Sequence, residues 1–194
     1  MKGKLVIISA PSGAGKTTIV SHLLGKRLNL EFSVSATTRK PRGQETEGKD
    51  YYFITRADFK KRILNKEFVE WEEVYKDHFY GTLKCEIDRI WSKGKYVLFD
   101  VDAKGGISLK NIFGNKAIAV FIMPPSAREL EKRLQKRGTD DPARIKVRVE
   151  KAIKEMKSAN QFDNIIINDQ LERALNETVA IVSSFLKIKP DSDG

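Results

Sequence analysis

The stretch Leu5-Val6-Ile7-Ile8-Ser9-Ala10-Pro11-Ser12-Gly13-Ala14-Gly15-Lys16-Thr17 decides the fold of this chain. Its first five residues form an apolar run typical of a buried strand, and residues 18–24 have the spacing of an amphipathic helix. The glycine-rich turn between them predicts a phosphate-binding loop, because backbone N–H groups and the positive end of the helix dipole meet at the start of such a helix. A nucleoside triphosphate site is therefore predicted, and a turn without a ligand is disfavoured by this order of elements.

The residue types in the loop suit this chemistry. Gly13 and Gly15 let the backbone turn and approach a phosphate, Lys16 is expected to reach the β- and γ-phosphates, and the Thr17 hydroxyl is expected to bind Mg²⁺. Ala10 replaces the first glycine of the GxxxxGK[ST] pattern, which is a mild departure if its φ is negative. The expected triphosphate-binding residues are Ala10, Pro11, Ser12, Gly13, Ala14, Gly15, Lys16, Thr17 and Thr18.

The composition is that of one globular unit. The 194 residues suffice for one core with small appended lobes, and 40% are hydrophobic and 32% charged. No apolar stretch is long enough to span a membrane, and the first residues lead into a core strand. The single cysteine, Cys85, cannot form an internal disulfide, and we expect it to pack at the start of a helix. These features predict a cytoplasmic protein without a membrane partner.

The formal net charge of +10 predicts anionic partners or substrates. The basic residues are spread over helical segments at 60–62, 132–133 and 151–157, which we interpret as solvent-facing charge. No RRM, KH or zinc-finger signature is present, so small anionic substrates are favoured over nucleic acid. The sequence leaves open whether the chain forms a homo-oligomer.

Apolar runs alternate with helical patterns along most of the chain. Several runs are near-continuous Val, Ile, Leu and Phe, which is typical of parallel strands buried on both faces. The pattern predicts an α/β fold with a doubly wound parallel sheet and ligands at the carboxyl ends of the strands. The expected strands cover residues 5–9, 32–35, 96–100, 117–123 and 165–168, and the expected helices cover residues 17–26, 108–112, 127–136, 142–162 and 171–186.

Two segments interrupt this alternation. Residues 37–82 combine a basic loop, a strand at 51–54, a helix at 57–65 and strand-like alternation at 68–74, which predicts an inserted small mixed α/β lobe. A second irregularity is the break at residues 137–142 between two basic helices, which predicts a helical lid over residues 138–149. We expect one folded unit over residues 1–194, with a core of residues 1–36, 83–137 and 150–188.

Within the predicted lobe, Arg39, Arg42 and Tyr51 cluster around a proline and glycines. Two guanidinium groups can bind one phosphate, and a phenol can donate to the same group. An ordinary exposed basic loop is the alternative. The cluster of Arg39, Arg42 and Tyr51 follows the phosphate loop by one helix and one strand, and this position favours a site for an acceptor phosphate.

The ordered motifs SxTTRxPRxxExxGxxY, EFxEW, YGT, DxD and RGT resemble those of guanylate kinases nearly end to end. The resemblance implies a P-loop NTPase core, a GMP-binding lobe and an arginine-bearing lid, with ATP phosphorylating GMP in the presence of Mg²⁺. It implies that GMP is surrounded by Ser35, Arg39, Arg42, Glu45, Tyr51, Glu70, Tyr80, Thr82 and Asp102. It also implies the catalytic residues Lys16, Asp100, Arg133, Arg137 and Arg148, and places Asn168 at the adenine end of ATP.

Chemistry supports a guanine site around Glu70. A carboxylate can accept the N1 and N2 hydrogens of guanine while the hydroxyls of Ser35 and Thr82 donate to O6, whereas adenine would place a lone pair against the carboxylate. The alternative for Glu70 is an outward polar residue of an alternating strand. Whether dGMP is also accepted is left open.

Asp100 follows an apolar strand, and we expect it to hold Mg²⁺ through water together with Thr17. Asp102 could contact GMP or an arginine, or cap the next helix. Lys104 stands where the family commonly has glutamine, which adds a charge beside the site. Arg144 repeats the lid spacing, but we expect it to face solvent.

Two other functions remain open from the sequence. Another nucleoside monophosphate kinase could use the same core, and a guanylate-kinase-like interaction module could keep the lobe and bind peptides. Lys16, Thr17 and the lid arginines favour catalysis over the interaction module.

Overall fold

The computed structural model describes residues 3–138 and 141–188, without the side chains of residues 75 and 137. The strands are β1 (Leu5–Ser9), β2 (Leu30–Phe32), β3 (Ala36–Thr37), β4 (Tyr52–Phe53), β5 (Phe68–Tyr75), β6 (His78–Leu83), β7 (Tyr96–Val101), β8 (Ala117–Met123) and β9 (Asn164–Ile167). The helices are α1 (Lys16–Gly25), α2 (Arg56–Leu64), α3 (Lys84–Ser92), α4 (Ala103–Phe113), α5 (Ala127–Arg137), α6 (Pro142–Met156) and α7 (Leu171–Leu186).

The core is a parallel sheet in the strand order β2-β7-β1-β8-β9. In the central strand β1, Leu5 and Ile7 pack on one face while Val6 and Ile8 pack on the other, because successive side chains of a strand point to opposite faces. Both faces are covered by helices, so every residue of β1 is buried. The predicted doubly wound α/β core is confirmed.

Helices cover the two faces unequally. Helices α1, α5, α6 and α7 bury apolar residues on the face of Val6, whereas α3 and α4 cover the face of Leu5. In the part of the chain that the structure describes, no helix is both long and apolar enough to cross a membrane.

A second, mixed sheet has the order β4-β3-β6-β5, in which β3 and β4 are parallel and the other pairs antiparallel. It has its own small core, in which the ring of Phe59 from α2 stacks on Phe68 with centroids 4.4 Å apart and tilts against Phe79. The sequence predicted a small mixed α/β lobe in this part of the chain, and the structure contains one.

Some predicted boundaries are wrong. The strand expected at residues 32–35 is divided: β2 ends at Phe32, Ser33 still donates its N–H to Leu98 of the core, and Ser35 already accepts a bond from Tyr52 of the lobe. The same extended segment thus passes from one sheet to the other. The helix expected at 142–162 ends at Met156 and is followed by a 3₁₀ turn, Ala159–Gln161.

The first turn of α3 also differs from the prediction. Cys85 does begin that helix, but its thiol is exposed. The buried face of the helix is instead formed by Glu86, Ile87 and Ile90.

Glu86 joins the core to the lobe. Its carboxylate is buried and accepts hydrogen bonds from the backbone N–H of Val34 (3.0 Å), the hydroxyl of Tyr52 (2.8 Å) and two nitrogens of Arg89 (2.9 Å each). Burial raises the pKa of Glu86, but these hydrogen-bond donors together lower it by more, so the pKa lies below its ordinary value. The carboxylate therefore links α3 both to Val34, in the segment that passes between the sheets, and to Tyr52 of the lobe.

We predict that Glu86→Ala lowers the free energy of unfolding by about 2–4 kcal/mol, because a buried N–H and a guanidinium lose their partner. Denaturant unfolding at pH 7 measures it. The control Glu177→Ala, at an exposed position of α7, should change stability by less than about 0.5 kcal/mol. Equal effects of the two substitutions would contradict the role of Glu86.

The pH dependence of stability gives a second test of the role of Glu86 with the same variant. Because the folded-state pKa of Glu86 is lowered, its contribution is present at neutral pH and is lost as the pH falls below the ordinary value of 4.5. The stability difference between wild type and variant should therefore shrink in acid.

Candidate active site

A cavity of about 670 Å³ opens where β1 ends and the phosphate loop begins. We call it the donor cavity. Its walls combine loop residues with cations from the helices α5 and α6. The lining residues are Ala10, Pro11, Ser12, Gly13, Gly15, Lys16, Thr17, Thr18, Asp102, Arg133, Leu134, Lys136, Arg148, Lys151 and Glu155.

The loop needs glycine at two positions. Gly13 and Gly15 have φ values of +91° and +95°, a region that residues with side chains rarely adopt. A Cβ on Gly15 would also collide with the side-chain amide of Asn168. Ala10 has no positive φ, so the replacement of the first glycine is as mild as predicted.

Asn168 supports the loop from behind. The residue is only 4% exposed, and its side-chain amide donates to the backbone carbonyl of Ala14 (2.8 Å). The backbone carbonyl of Asn168 accepts a hydrogen bond from Arg133 Nη2 (3.0 Å). Asn168 does not line the donor cavity. The amide thus holds the loop, and the place of Asn168 at the adenine end of ATP stays a prediction.

Lys16, which lines the donor cavity, forms an ion pair with Asp100 and also donates to the carbonyl of Val101 (2.9 Å). Burial lowers the pKa of Lys16, but Asp100 and, more weakly, Tyr51 and Asp102 raise it above its ordinary value. The pair forms because β1 and β7 are neighbours in register, with Ile8 opposite Asp100. Lys16 therefore carries a full positive charge at neutral pH.

A smaller cavity of about 150 Å³ lies between the core and the lobe, and we call it the acceptor cavity. Lys16 and Asp102 line both cavities, so the two adjoin. Of the residues predicted to surround GMP, it brings together Ser35, Tyr51, Glu70, Tyr80 and Asp102. The remaining lining residues are Lys16, Glu72, Val74, Asp100, Val101 and Gly105.

Asp102 serves as a helix cap, the alternative that the sequence left open. Its Oδ1 accepts the N–H of Gly105 (2.9 Å) at the start of α4, and its Oδ2 lies 3.8 Å from the ammonium of Lys151. The cap fixes the carboxylate at the boundary between the two cavities.

Glu70 is a carboxylate of the acceptor cavity whose surroundings change its pKa strongly. Burial raises its pKa to about 7, although the Thr82 hydroxyl, which donates to Oε1 (2.7 Å), lowers it and nearby Asp102 raises it. The outward-facing alternative for Glu70 is therefore wrong. Thr82 is fully buried and does not line the cavity, contrary to the prediction that it donates to the base, because its one hydroxyl hydrogen is given to Glu70.

Arg39 and Arg42, the predicted phosphate-binding arginines of the lobe, do not line the acceptor cavity. Arg39 is 7% exposed, and its Nη1 and Nη2 donate to the two oxygens of Glu45 (2.5 and 2.7 Å) while Nε donates to Tyr80 (3.1 Å). The guanidinium also lies 4.7 Å from the ring centre of Tyr51. Arg39 thus adjoins the acceptor cavity without lining it, since Glu45 occupies its fork.

Glu45 and Arg42 are likewise outside the lining. The carboxylate of Glu45 accepts the backbone N–H of Arg42 (2.8 Å) in addition to the Arg39 fork, and the residue Arg42 is exposed. Both were predicted to surround GMP. The structure places them in the surface loop next to the cavity.

Among the lid arginines, Arg133 and Arg148 line the donor cavity, and Arg148 donates to the hydroxyl of Ser12 (3.1 Å). The side chain of Arg137 lies outside the described part of the structure. The Arg144 side chain is 74% exposed, which confirms the expectation that it faces solvent.

Lys136, Lys151 and Glu155 line the donor cavity and were not identified from the sequence. The sequence predicts Lys151 as solvent-facing charge, which is wrong, since its side chain is 29% exposed. The available signal was the spacing of i, i+3 and i+7 from Arg148, which places Lys151 and Glu155 on the same face of α6. Lys104 is 76% exposed and lies 4.0 Å from Glu72.

A phosphate loop after the central strand of a parallel sheet, adjoining a second cavity beside an inserted lobe, defines the class of P-loop nucleotide kinases. The family model described as guanylate kinase matches residues 2–185. The chain belongs to the guanylate kinase family.

Individual proteins agree with this family. Curated guanylate kinases from Bacteroides thetaiotaomicron and Porphyromonas gingivalis are each 51% identical to the chain, over 96% and 94% of it and over 91% and 98% of their own lengths. The crystal structure of guanylate kinase from Anaplasma phagocytophilum aligns with a TM-score of 0.77 and 28% identity, covering 98% of this chain and 90% of that one.

We predict that Gly15→Ala abolishes detectable binding of a non-hydrolysable ATP analogue. The new Cβ would disfavour the positive φ of residue 15 and would collide with the Asn168 amide. Calorimetric titration measures it. The control Gly25→Ala, at the end of α1 with open space around its Cβ, should bind as wild type does. Binding by Gly15→Ala within threefold of wild type would contradict the assigned loop geometry.

Proposed function

We propose that the donor cavity binds ATP and the acceptor cavity binds GMP, so that the phosphoryl group passes where the two cavities meet. The observation that carries this proposal is their shared wall, Lys16 and Asp102. The protein is a nucleoside monophosphate kinase that transfers the γ-phosphoryl group of ATP to GMP, giving ADP and GDP. The cavities supply a place for each nucleotide.

The reaction requires charge neutralisation and alignment rather than a strong base. The bond between the γ-phosphorus and the bridging oxygen breaks, its electron pair leaves with ADP, and a GMP phosphate oxygen forms the new bond in line. We assign Lys16, Arg133 and Arg148 to the phosphates of ATP, because their side chains line the donor cavity. Two mutually repelling anions can then be held at reacting distance.

The residues at the loop fit a Mg²⁺ ion held together with ATP. Thr17 is exposed on the cavity wall and offers a hydroxyl, and Asp100 offers a carboxylate next to Lys16, which are the oxygen donors that Mg²⁺ prefers. Within residues 3–138 and 141–188, no group of three or more His, Cys, Asp or Glu side chains could hold a metal ion by itself. When bound, the ion would neutralise phosphate charge.

We assign recognition of guanine to Glu70, with Ser35 beside it. The carboxylate can accept both N–H groups of the base, and Thr82 holds it in place. Tyr51 and Tyr80 are assigned to the GMP phosphate. The guanidinium of Arg39 supports both, since it donates to the Tyr80 hydroxyl and lies over the Tyr51 ring. The acceptor cavity is smaller than the roughly 300 Å³ at which ligand pockets begin, so the lobe would open to admit GMP.

We assign the lid over ATP to residues 138–149, of which residues 139 and 140 lie outside the described part of the structure. Arg148, in the α6 part of this segment, contributes a cation to the donor cavity. A cytoplasmic location is proposed as well, in keeping with the single exposed cysteine thiol.

Turnover of ATP with a panel of GMP, dGMP, AMP, CMP and UMP tests the proposed function. We predict that kcat/KM for GMP exceeds that for AMP by at least about 10³, because adenine leaves the Glu70 carboxylate without donors. Comparable turnover of AMP would overturn the assignment of Glu70. Binding of GMP without any turnover would indicate an interaction module instead.

The raised pKa of Glu70 predicts a pH-dependent KM for GMP. Guanine requires the carboxylate, so with a pKa of about 7 the KM should rise about tenfold as the pH falls from 8 to 6. Steady-state kinetics across this range measure the effect. Glu70→Gln should lack this part of the pH dependence, since its amide does not titrate.

The matched control is Glu73→Gln, on the exposed side of the same strand β5. It keeps Glu70 and should retain the wild-type pH profile. The phosphate of GMP titrates in all three proteins, so it cancels in the comparison. Identical profiles for Glu70→Gln and wild type would contradict the role of the carboxylate.

A further inference from the structure

Helix α6 presents three charged residues to the donor cavity: Arg148, Lys151 and Glu155. The ammonium of Lys151 lies 3.4 Å from Glu155 Oε1, one turn further along the helix, and 3.8 Å from Asp102 Oδ2 at the start of α4. Two carboxylates thus hold this ammonium over the cavity rather than in solvent.

The position of Asp102 locates Lys151 relative to the reaction. Asp102 is one of the two residues named above that line both cavities, and its carboxylate is fixed by the bond to Gly105. The DxD pair therefore faces two lysines: Asp100 pairs with Lys16 of the loop, and Asp102 lies near Lys151 of α6. Lys151 therefore brings a positive charge from α6 to the carboxylate of Asp102, which lines both cavities.

The chemical nature of the residue suits a mobile phosphate contact. A lysine ammonium is a compact charge with three donors on a flexible stem, so it can follow a phosphoryl group as the group moves. Both carboxylate distances exceed the 2.7–2.9 Å typical of a direct charge-assisted hydrogen bond. The two carboxylates attract the ammonium towards the donor cavity, where the phosphates of ATP are proposed to bind.

We propose that Lys151 is a further catalytic residue, whose ammonium donates to oxygens of the transferred phosphoryl group as it passes from ATP to GMP. The proposal rests on the placement of ATP and GMP in the two cavities. While the bond to the bridging oxygen of ADP breaks and the bond to the GMP phosphate forms, Lys151 neutralises negative charge on the equatorial oxygens. No proton is transferred to or from Lys151 in this step.

The test compares Lys151→Gln with Lys154→Gln, a lysine on the exposed side of the same helix. Steady-state kinetics with ATP, GMP and Mg²⁺ should show a kcat lowered about 10- to 100-fold by Lys151→Gln. The KM values for ATP and GMP should change by less than threefold, because the contact strengthens in the transition state. Lys154→Gln should match wild type, and Lys151→Arg, which keeps the charge, should recover most of the lost kcat.

Several results would overturn the role of Lys151. One is a kcat within twofold of that of Lys154→Gln, and another is an effect confined to the KM for ATP. A third is a loss of activity that matches a loss of folded protein, measured by thermal unfolding of the same samples. The wild-type enzyme in this assay tests the placement of the substrates separately, because it must turn over GMP whether or not Lys151 takes part.

Discussion

The parallel pairing of β1 with β7 is the constraint on which the site depends. It places Ile8 opposite Asp100, so that the phosphate loop after β1 and the acidic pair at the end of β7 emerge side by side. The ion pair between Lys16 and Asp100 follows directly from this register. A shift of one residue would turn Asp100 into the apolar core, since successive side chains of a strand face opposite ways. The position of this ion pair is therefore secured by the hydrophobic packing on both faces of β1.

Much of the fold could be predicted from the sequence because apolar runs bounded by turns are local signals. The core strands β1, β7 and β8 and the helix α7 lie where the runs predicted them, within a residue or so. The path around residues 33–35 could not be predicted, because one extended segment serves two sheets and only the partners Leu98 and Tyr52 decide where one ends.

The candidate site could be predicted as a set of residues but not as a set of contacts. Arg39 has a fork that suits a phosphate or a carboxylate equally, and Glu45 is close enough in the chain to occupy it. The amide of Asn168 and the hydroxyl of Thr82 likewise bind protein groups. Whether such a side chain binds a ligand or a protein group depends on distance and burial, and a sequence motif gives neither.

Under the proposed assignment of guanine recognition to Glu70, the environment of this carboxylate would let a small cavity discriminate between bases. Removal from water disfavours its charged form, and one hydroxyl from Thr82 offsets only part of this, so the pKa stays near 7. A ligand that supplies two N–H donors stabilises the carboxylate and is bound the more tightly for it. A base with a lone pair at that position leaves the charge without donors. Selectivity then comes from the cost of leaving the charged carboxylate of Glu70 without donors as much as from any contact that guanine makes.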